Sequence, residues 1–242
     1  MSAPLARRVA AEAVGTALLV AVVVGSGIQA SELSRDAGVQ LLANCLATVF
    51  GLGVLIAVLG PVSGAHFNPA VTLASWAAGR RSGQGTTLRE ASLYVPAQIA
   101  GAMAGAMLAN AVFGHPLVTF STHDRSAVHL WLGEVVATAG LLLVAVGLTR
   151  AGRANLAPGV VAAFIGAAYW FTSSTSFANP AVTVGRALTD SFAGIAPASV
   201  PAFIAAQAVG AALGVGLAAL IFGRPSPVPP RPAVPLTVVA AP

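Results

Sequence analysis

Phe67-Asn-Pro-Ala-Val-Thr72 and Ala178-Asn-Pro-Ala-Val-Thr183 are almost the same six residues written twice. Asn is a preferred helix N-cap, and Pro is favoured at the first helical position, where its missing N–H costs nothing. Asn68-Pro69 and Asn179-Pro180 therefore read as two helix starts, with Ala70 and Ala181 small enough to let them touch. The segments they open, His66 to Ala78 and Ala178 to Leu188, are apolar enough to enter a membrane. At about 1.5 Å per residue, each covers only about half of one.

The flanks repeat in the same order. Glu12-Ala-Val-Gly-Thr16 matches Glu134-Val-Val-Ala-Thr138, and Tyr94-Val-Pro-Ala-Gln-Ile-Ala-Gly101 matches Phe203-Ile-Ala-Ala-Gln-Ala-Val-Gly210. Each half thus reads as span, span, short segment, span. Three crossings per half is an odd number, so the second half sits upside down against the first. The short segments then enter from opposite faces and meet near the middle, the plan of inverted-repeat transport proteins. The repeats are expected over about 5–114 and 128–223 of one domain, 1–223, followed by a Pro-rich, disordered tail over 224–242.

Composition sets the same class. Hydrophobic residues make up 57% of the 242 and charged residues 8%, too few charges to cover a soluble domain of this size. Six continuous apolar runs, near 9–30, 38–59, 92–113, 129–149, 157–175 and 199–222, are long enough to cross a bilayer. They do not alternate as barrel strands do, so the expected fold is an all-α membrane protein of six transmembrane helices plus two re-entrant half-helices. The first run lacks a convincing cleavage site and reads as a helix that stays rather than a signal peptide. Gly101-Ala-Met-Ala-Gly105 and Gly210-Ala-Ala-Leu-Gly214 are small-x-x-x-small patterns suited to close helix packing in lipid.

The net charge of +5 comes from scattered arginines, with no lysine and no basic stripe for a phosphate backbone, which excludes nucleic acid as a partner. Topology accounts for them. Arg7, Arg8, Arg80, Arg81, Arg89, Arg150, Arg153, Arg224 and Arg231 fall on the side of both termini, and Arg35 and Arg125 on the other, with Arg186 in the second short segment. That bias places both termini in the cytoplasm and the protein in the inner, or plasma, membrane. Cys45 stands alone, so neither an internal disulfide nor a cysteine metal cluster is available, and no cofactor is expected. His115, His123 and His129 fall in or beside one outer loop and read as solvated rather than as metal ligands.

Two helix N-termini, each worth roughly half a positive charge, would face one another at the bilayer centre. Cations, hydronium included, would meet a barrier there, while a neutral hydroxyl-bearing molecule donates and accepts in passing. Each capping Asn would use its side-chain oxygen on its own helix and keep N–H donors for the lumen.

Ser63-Gly-Ala-His-Phe-Asn-Pro-Ala-Val-Thr72, with the second Asn-Pro-Ala, resembles the aquaporin, or major intrinsic protein, family over about residues 5–223. The resemblance implies a pore in every subunit, a homotetramer, and a passive channel for water, glycerol, urea or neutral metalloid hydroxides such as arsenous acid. Most members carry an Arg directly after the second Asn-Pro-Ala; here Val182 stands in its place. Counting back without gaps, the other three filter positions are Thr48, Ala167 and Ser176, although aligning Phe50 with the usual second-span aromatic would displace Thr48. A filter of small residues implies a wider opening than a strict water filter.

Several polar residues keep two readings. Glu12 and Glu134 lie within spans, where ionisable groups are costly. They are either proton-coupling carboxylates or acceptors that pin the re-entrant loops; their symmetric placement, and the resemblance, favour the second. Gln98 and Gln207 are paired in the same way and read as structural. His66 either lines the lumen or is a buried ring bonded to a carbonyl. Arg186, four residues beyond Val182 on the same helix face, either leans into the mouth or pairs with Asp190. The competing function is an ion- or proton-coupled transporter, disfavoured because no Asp, Lys or Arg is expected at the midplane. An enzyme is disfavoured because no nucleophile and histidine stand at hydrolase spacing.

Overall fold

A computed structural model describes residues 3–82 and 85–223. The tail over 224–242, with Arg224 and Arg231, lies outside the described residues. Eight α-helices follow in order: α1 Leu5–Leu33, α2 Ala37–Ser63, α3 Pro69–Ser82, α4 Leu88–Val112, α5 Val128–Arg150, α6 Ala157–Phe171, α7 Pro180–Arg186 and α8 Val200–Phe222. Six are long and apolar enough to cross a membrane, α6 and α8 counting with the single turns that precede them. The other two, α3 and α7, are the half-length segments, and no strand occurs among the described residues.

The ends of the helices follow local chemistry. Asp36 caps α2 by accepting from the Val39 N–H at 2.9 Å, and Gly64, at φ +93°, closes it in the left-handed conformation that costs glycine least. Thr87 and Glu90 form a reciprocal capping box at the start of α4. The fifth span is shorter than its apolar run, which was expected to reach 175, because α6 stops at Phe171. The Thr172 hydroxyl turns back to the Ala168 carbonyl at 2.7 Å, and the chain then needs residues 172–178 to double back toward Asn179.

Packing repeats between the halves. On α4, a Cβ added to Gly101 or Gly105 would fall on the Ala13 or Ala17 carbonyl of α1. On α8, Gly210 and Gly214 stand in the same way against the Val135 and Ala139 carbonyls of α5. Both small-x-x-x-small patterns therefore mark the seams along which backbones approach most closely. Leu46, Phe50, Val54 and Val58 form an exposed apolar stripe on α2. In lipid such a stripe costs nothing, which is why hydrophobic and buried are different properties in this chain.

Arg8 at the start of α1 pairs with Glu90 at the start of α4, and the Arg150 guanidinium at the end of α5 reaches the Gly223 carbonyl beyond α8. Both described ends of the chain thus lie on one face, called the near face below. The loop between α4 and α5 covers the far face, where the Thr119 and Ser121 N–H groups donate to the Leu188 and Ala187 carbonyls just beyond α7.

Leucine at Gly105 or Gly214 should lower stability by about 1–3 kcal/mol, or more where the backbone cannot yield. Gly216→Ala, which meets nothing within 4 Å, should be neutral. Melting of the purified protein in detergent separates the two; a Gly105→Leu chain that melts like the parent would contradict the seam.

Candidate functional site

The two short helices start within reach of each other. Asn68 accepts from the Ala70 N–H at 2.9 Å, and Asn179 from the Ala181 and Val182 N–H groups at 3.0 and 3.3 Å. Each amide nitrogen then crosses to the other half: Asn68 Nδ2 donates to the Ala178 carbonyl and Asn179 Nδ2 to the Phe67 carbonyl, both at 2.8 Å. An amide nitrogen carries two hydrogens, so one N–H of each asparagine remains for the lumen. Pro69 and Pro180 are the first helical residues behind them, and Ala70 and Ala181 are buried.

The loops that deliver these asparagines are held in conformations L-residues avoid. Ala65 and Phe67 have φ of 47° and 48°, and their counterparts Ser176 and Ala178 have 51° and 47°. Each such residue costs about 1–2 kcal/mol. Two buried carboxylates hold them there. Glu12 accepts from the Ser63 hydroxyl (2.6 Å), the His66 N–H (3.0 Å), the Phe67 N–H (2.7 Å) and Gln98 Nε2 (2.7 Å). Glu134 accepts from the Phe177 N–H (2.9 Å), the Ala178 N–H (2.8 Å) and Gln207 Nε2 (2.6 Å). The second hydrogen of each glutamine goes to Thr72 or Thr183 on the half-helices, both at 2.9 Å.

A cavity of about 970 Å³ runs past these groups. Its wall extends from Arg150 and Asn155 near one face, past Asn68 and Asn179, to Tyr169 and Arg186 toward the other. Both strained loops line it. His66 also lines it, with Nδ1 3.0 Å from the Thr72 hydroxyl rather than on a carbonyl, and its ring meets Tyr94 edge-on.

Three of the four expected filter residues, Thr48, Ser176 and Val182, lie in this wall. Phe50 points outward at 67% exposed, which removes the alternative alignment. The fourth is corrected. Ala167 is exposed on the outer surface of α6, and Tyr169 is the α6 residue in the wall at this level, its hydroxyl 3.1 Å from that of Thr48. Two residues are about 200° around a helix, so an ungapped count that is two residues out selects the opposite face. Val161, Ile165 and Tyr169, four residues apart, form the stripe of α6 that lines the wall, and no polar face in the sequence announces it.

Arg186 is also in the wall, 97% buried, and makes no ion pair with Asp190. Its Nε donates to the Ala193 carbonyl and its guanidinium lies over the Phe177 ring, 3.4 Å from the centroid. Asp190 instead accepts from the Thr122 N–H at 2.9 Å, a bond that holds its carboxyl below the ordinary carboxylate range. Sequence reasoning missed Phe177 and Arg125, whose guanidinium also lies over that ring at 5.0 Å and is pulled below its usual range by burial. His115, His123 and His129 are exposed.

Six membrane-length helices, two half-helices abutting by their N-termini and a lumen past the junction define a membrane channel. A profile of the major intrinsic protein family matches residues 1–174. The chain is 47% identical to the aquaglyceroporin AqpS of Rhizobium meliloti over 88% of its own length and 89% of that protein's. It is 32% identical to a glycerol uptake facilitator protein of Pseudomonas aeruginosa over 96% and 95% of the two chains. The X-ray structure of the aquaglyceroporin from Plasmodium falciparum shares the fold at 17% identity, with a TM-score of 0.69 over 88% of this chain and 95% of that one. The chain belongs to the major intrinsic protein family, whose members are channels rather than enzymes.

Glu12→Gln and Glu134→Gln each turn an amide NH₂ toward backbone N–H donors. Each should cost about 2–3 kcal/mol in detergent stability and lower solute flux. Full flux from either variant would show that the loops hold themselves.

Proposed function

We propose that this protein is a passive transmembrane channel for small uncharged, hydrogen-bonding solutes and that it excludes ions and protons. The observation that carries the reading is the asparagine pair. Two N–H donors face a lumen at the point where two helix N-termini, each with roughly half a positive charge, converge. A hydroxyl oxygen finds donors there and a cation finds none of its needs met. Coupled transport finds no support in the carboxylates, since every oxygen of Glu12 and Glu134 is engaged in holding a loop.

The permeants we favour are larger than water: glycerol, urea and undissociated metalloid hydroxides such as arsenous acid. Val182 supports this, since it leaves an apolar wall beside the Thr48, Tyr169 and Ser176 hydroxyls. An oxyanion would have to shed its hydration at a cost of several kcal/mol. We further propose an inner-membrane location with the near face cytoplasmic, on the arginine bias, and a homotetramer, on the family likeness.

Proteoliposomes of the full chain, followed by stopped-flow light scattering, provide the test. Glycerol, urea and arsenous acid should each equilibrate about tenfold faster than in protein-free vesicles, with no response to a pH gradient. Val182→Arg should slow these solutes more than water; equal loss of all four would sink the assignment of Val182 to the filter.

A further inference from the structure

Among the described residues no carboxylate forms an ion pair with the Arg186 guanidinium. The ion pair found among the described residues joins Arg8 to Glu90 on the near face. Glu134, the carboxylate whose field reaches both Arg186 and Arg125, is occupied by the Phe177 and Ala178 N–H groups and by Gln207. Arg186 keeps one bond, from Nε to the Ala193 carbonyl, and its Nη donors have no protein partner among the described residues. Burying an unpaired charge costs several kcal/mol, and an aliphatic side chain would fill the same space over Phe177 without that cost. The guanidinium is nevertheless kept in the wall of the lumen.

Its surroundings indicate what it does there. Thr48 and Tyr169 bond to each other, and the Ser176 hydroxyl has no partner among the described residues, so the wall here offers neutral hydroxyls and the guanidinium is its charged donor group. Val182, four residues earlier on α7, leaves the turn below apolar. Arg125 holds the opposite end of the same short system, donating from Nε to the Gly194 carbonyl at 3.0 Å, and adds a second positive charge without a carboxylate partner.

We propose that Arg186 is the specificity-determining cation of the far mouth. It offers donors to the oxygens of neutral solutes and turns away cations of the same shape before they reach the asparagine pair. This rests on the channel reading above and assigns the charge selection to a residue one turn beyond Val182.

Urea and guanidinium test it, because they share a planar shape and differ by one charge. In proteoliposomes the wild-type chain carries urea and is indifferent to external guanidinium. With the urea flux of Arg186→Gln measured first as that variant's own baseline, guanidinium now either crosses, seen as radiolabel uptake, or occupies the mouth and slows urea below that baseline. One of these should change by about tenfold or more. Arg186→Lys restores the exclusion. A folded Arg186→Gln channel as indifferent to guanidinium as the wild type overturns the proposal, as does a lysine variant that behaves like glutamine. Should Arg186→Gln fail to insert, Arg186→Met carries the same comparison. Failure of both neutral variants to insert would make Arg186 a structural brace and also overturn it. Wild-type vesicles that carry neither urea nor glycerol would instead refute the channel reading.

Discussion

The structure depends on two buried carboxylates accepting from four backbone N–H groups. Glu12 takes those of His66 and Phe67, and Glu134 takes those of Phe177 and Ala178. A bond to a charged acceptor contributes about 1.5–3 kcal/mol, so the four donors on Glu12 offset a desolvation cost of several kcal/mol. They also hold the matched left-handed residues, Ala65 and Phe67 in one loop and Ser176 and Ala178 in the other, where Thr175 is left-handed as well. Without this brace the loops would relax toward ordinary φ, and the Phe67 and Ala178 carbonyls would leave the amides of Asn179 and Asn68 that bond them. Each half therefore fixes the other: the carboxylate shapes the loop, and the loop's carbonyl positions the opposite asparagine.

This coupling explains why so few polar residues suffice in so apolar a chain. Two matching networks of buried polar side chains, Glu12–Gln98–Thr72 and Glu134–Gln207–Thr183, brace the junction. Around them the packing relies on close backbone approach at Gly101, Gly105, Gly210 and Gly214 instead of large side chains. Lipid gives no hydrophobic drive for helices to associate, so dispersion at short range and hydrogen bonds must hold them together.

Much of this was legible because the two halves repeat. Matching Glu12 with Glu134, and Gln98 with Gln207, favoured braces over proton-coupling carboxylates, as the family resemblance did, and proline after asparagine located both helix starts. What escaped was whatever depends on the rotation of a helix that has no polar face. On α6, Ala167 and Tyr169 are both compatible with an apolar span, and no amphipathic pattern says which faces inward. Arg186 was ambiguous for a related reason: spacing put Asp190 within reach, yet Asp190 is taken by the Thr122 N–H from a loop whose fold the local sequence does not announce.

The halves are alike where the chain is braced and unlike where the lumen is lined, and this difference is what gives the channel its character. The half-helix α3 runs 14 residues and α7 only 7, so the far-side segment ends sooner and its last residue, Arg186, comes to lie in the wall. His66, beside the first asparagine, and Ser176, near the second, line opposite arms of the same lumen with different chemistry. Symmetry is required only for the two N-termini to meet; the walls on either side are free of it. A solute thus passes a histidine on one side of the junction and, on the other, a guanidinium above an apolar turn. Selectivity can then be set by residues outside the network that keeps the chain folded.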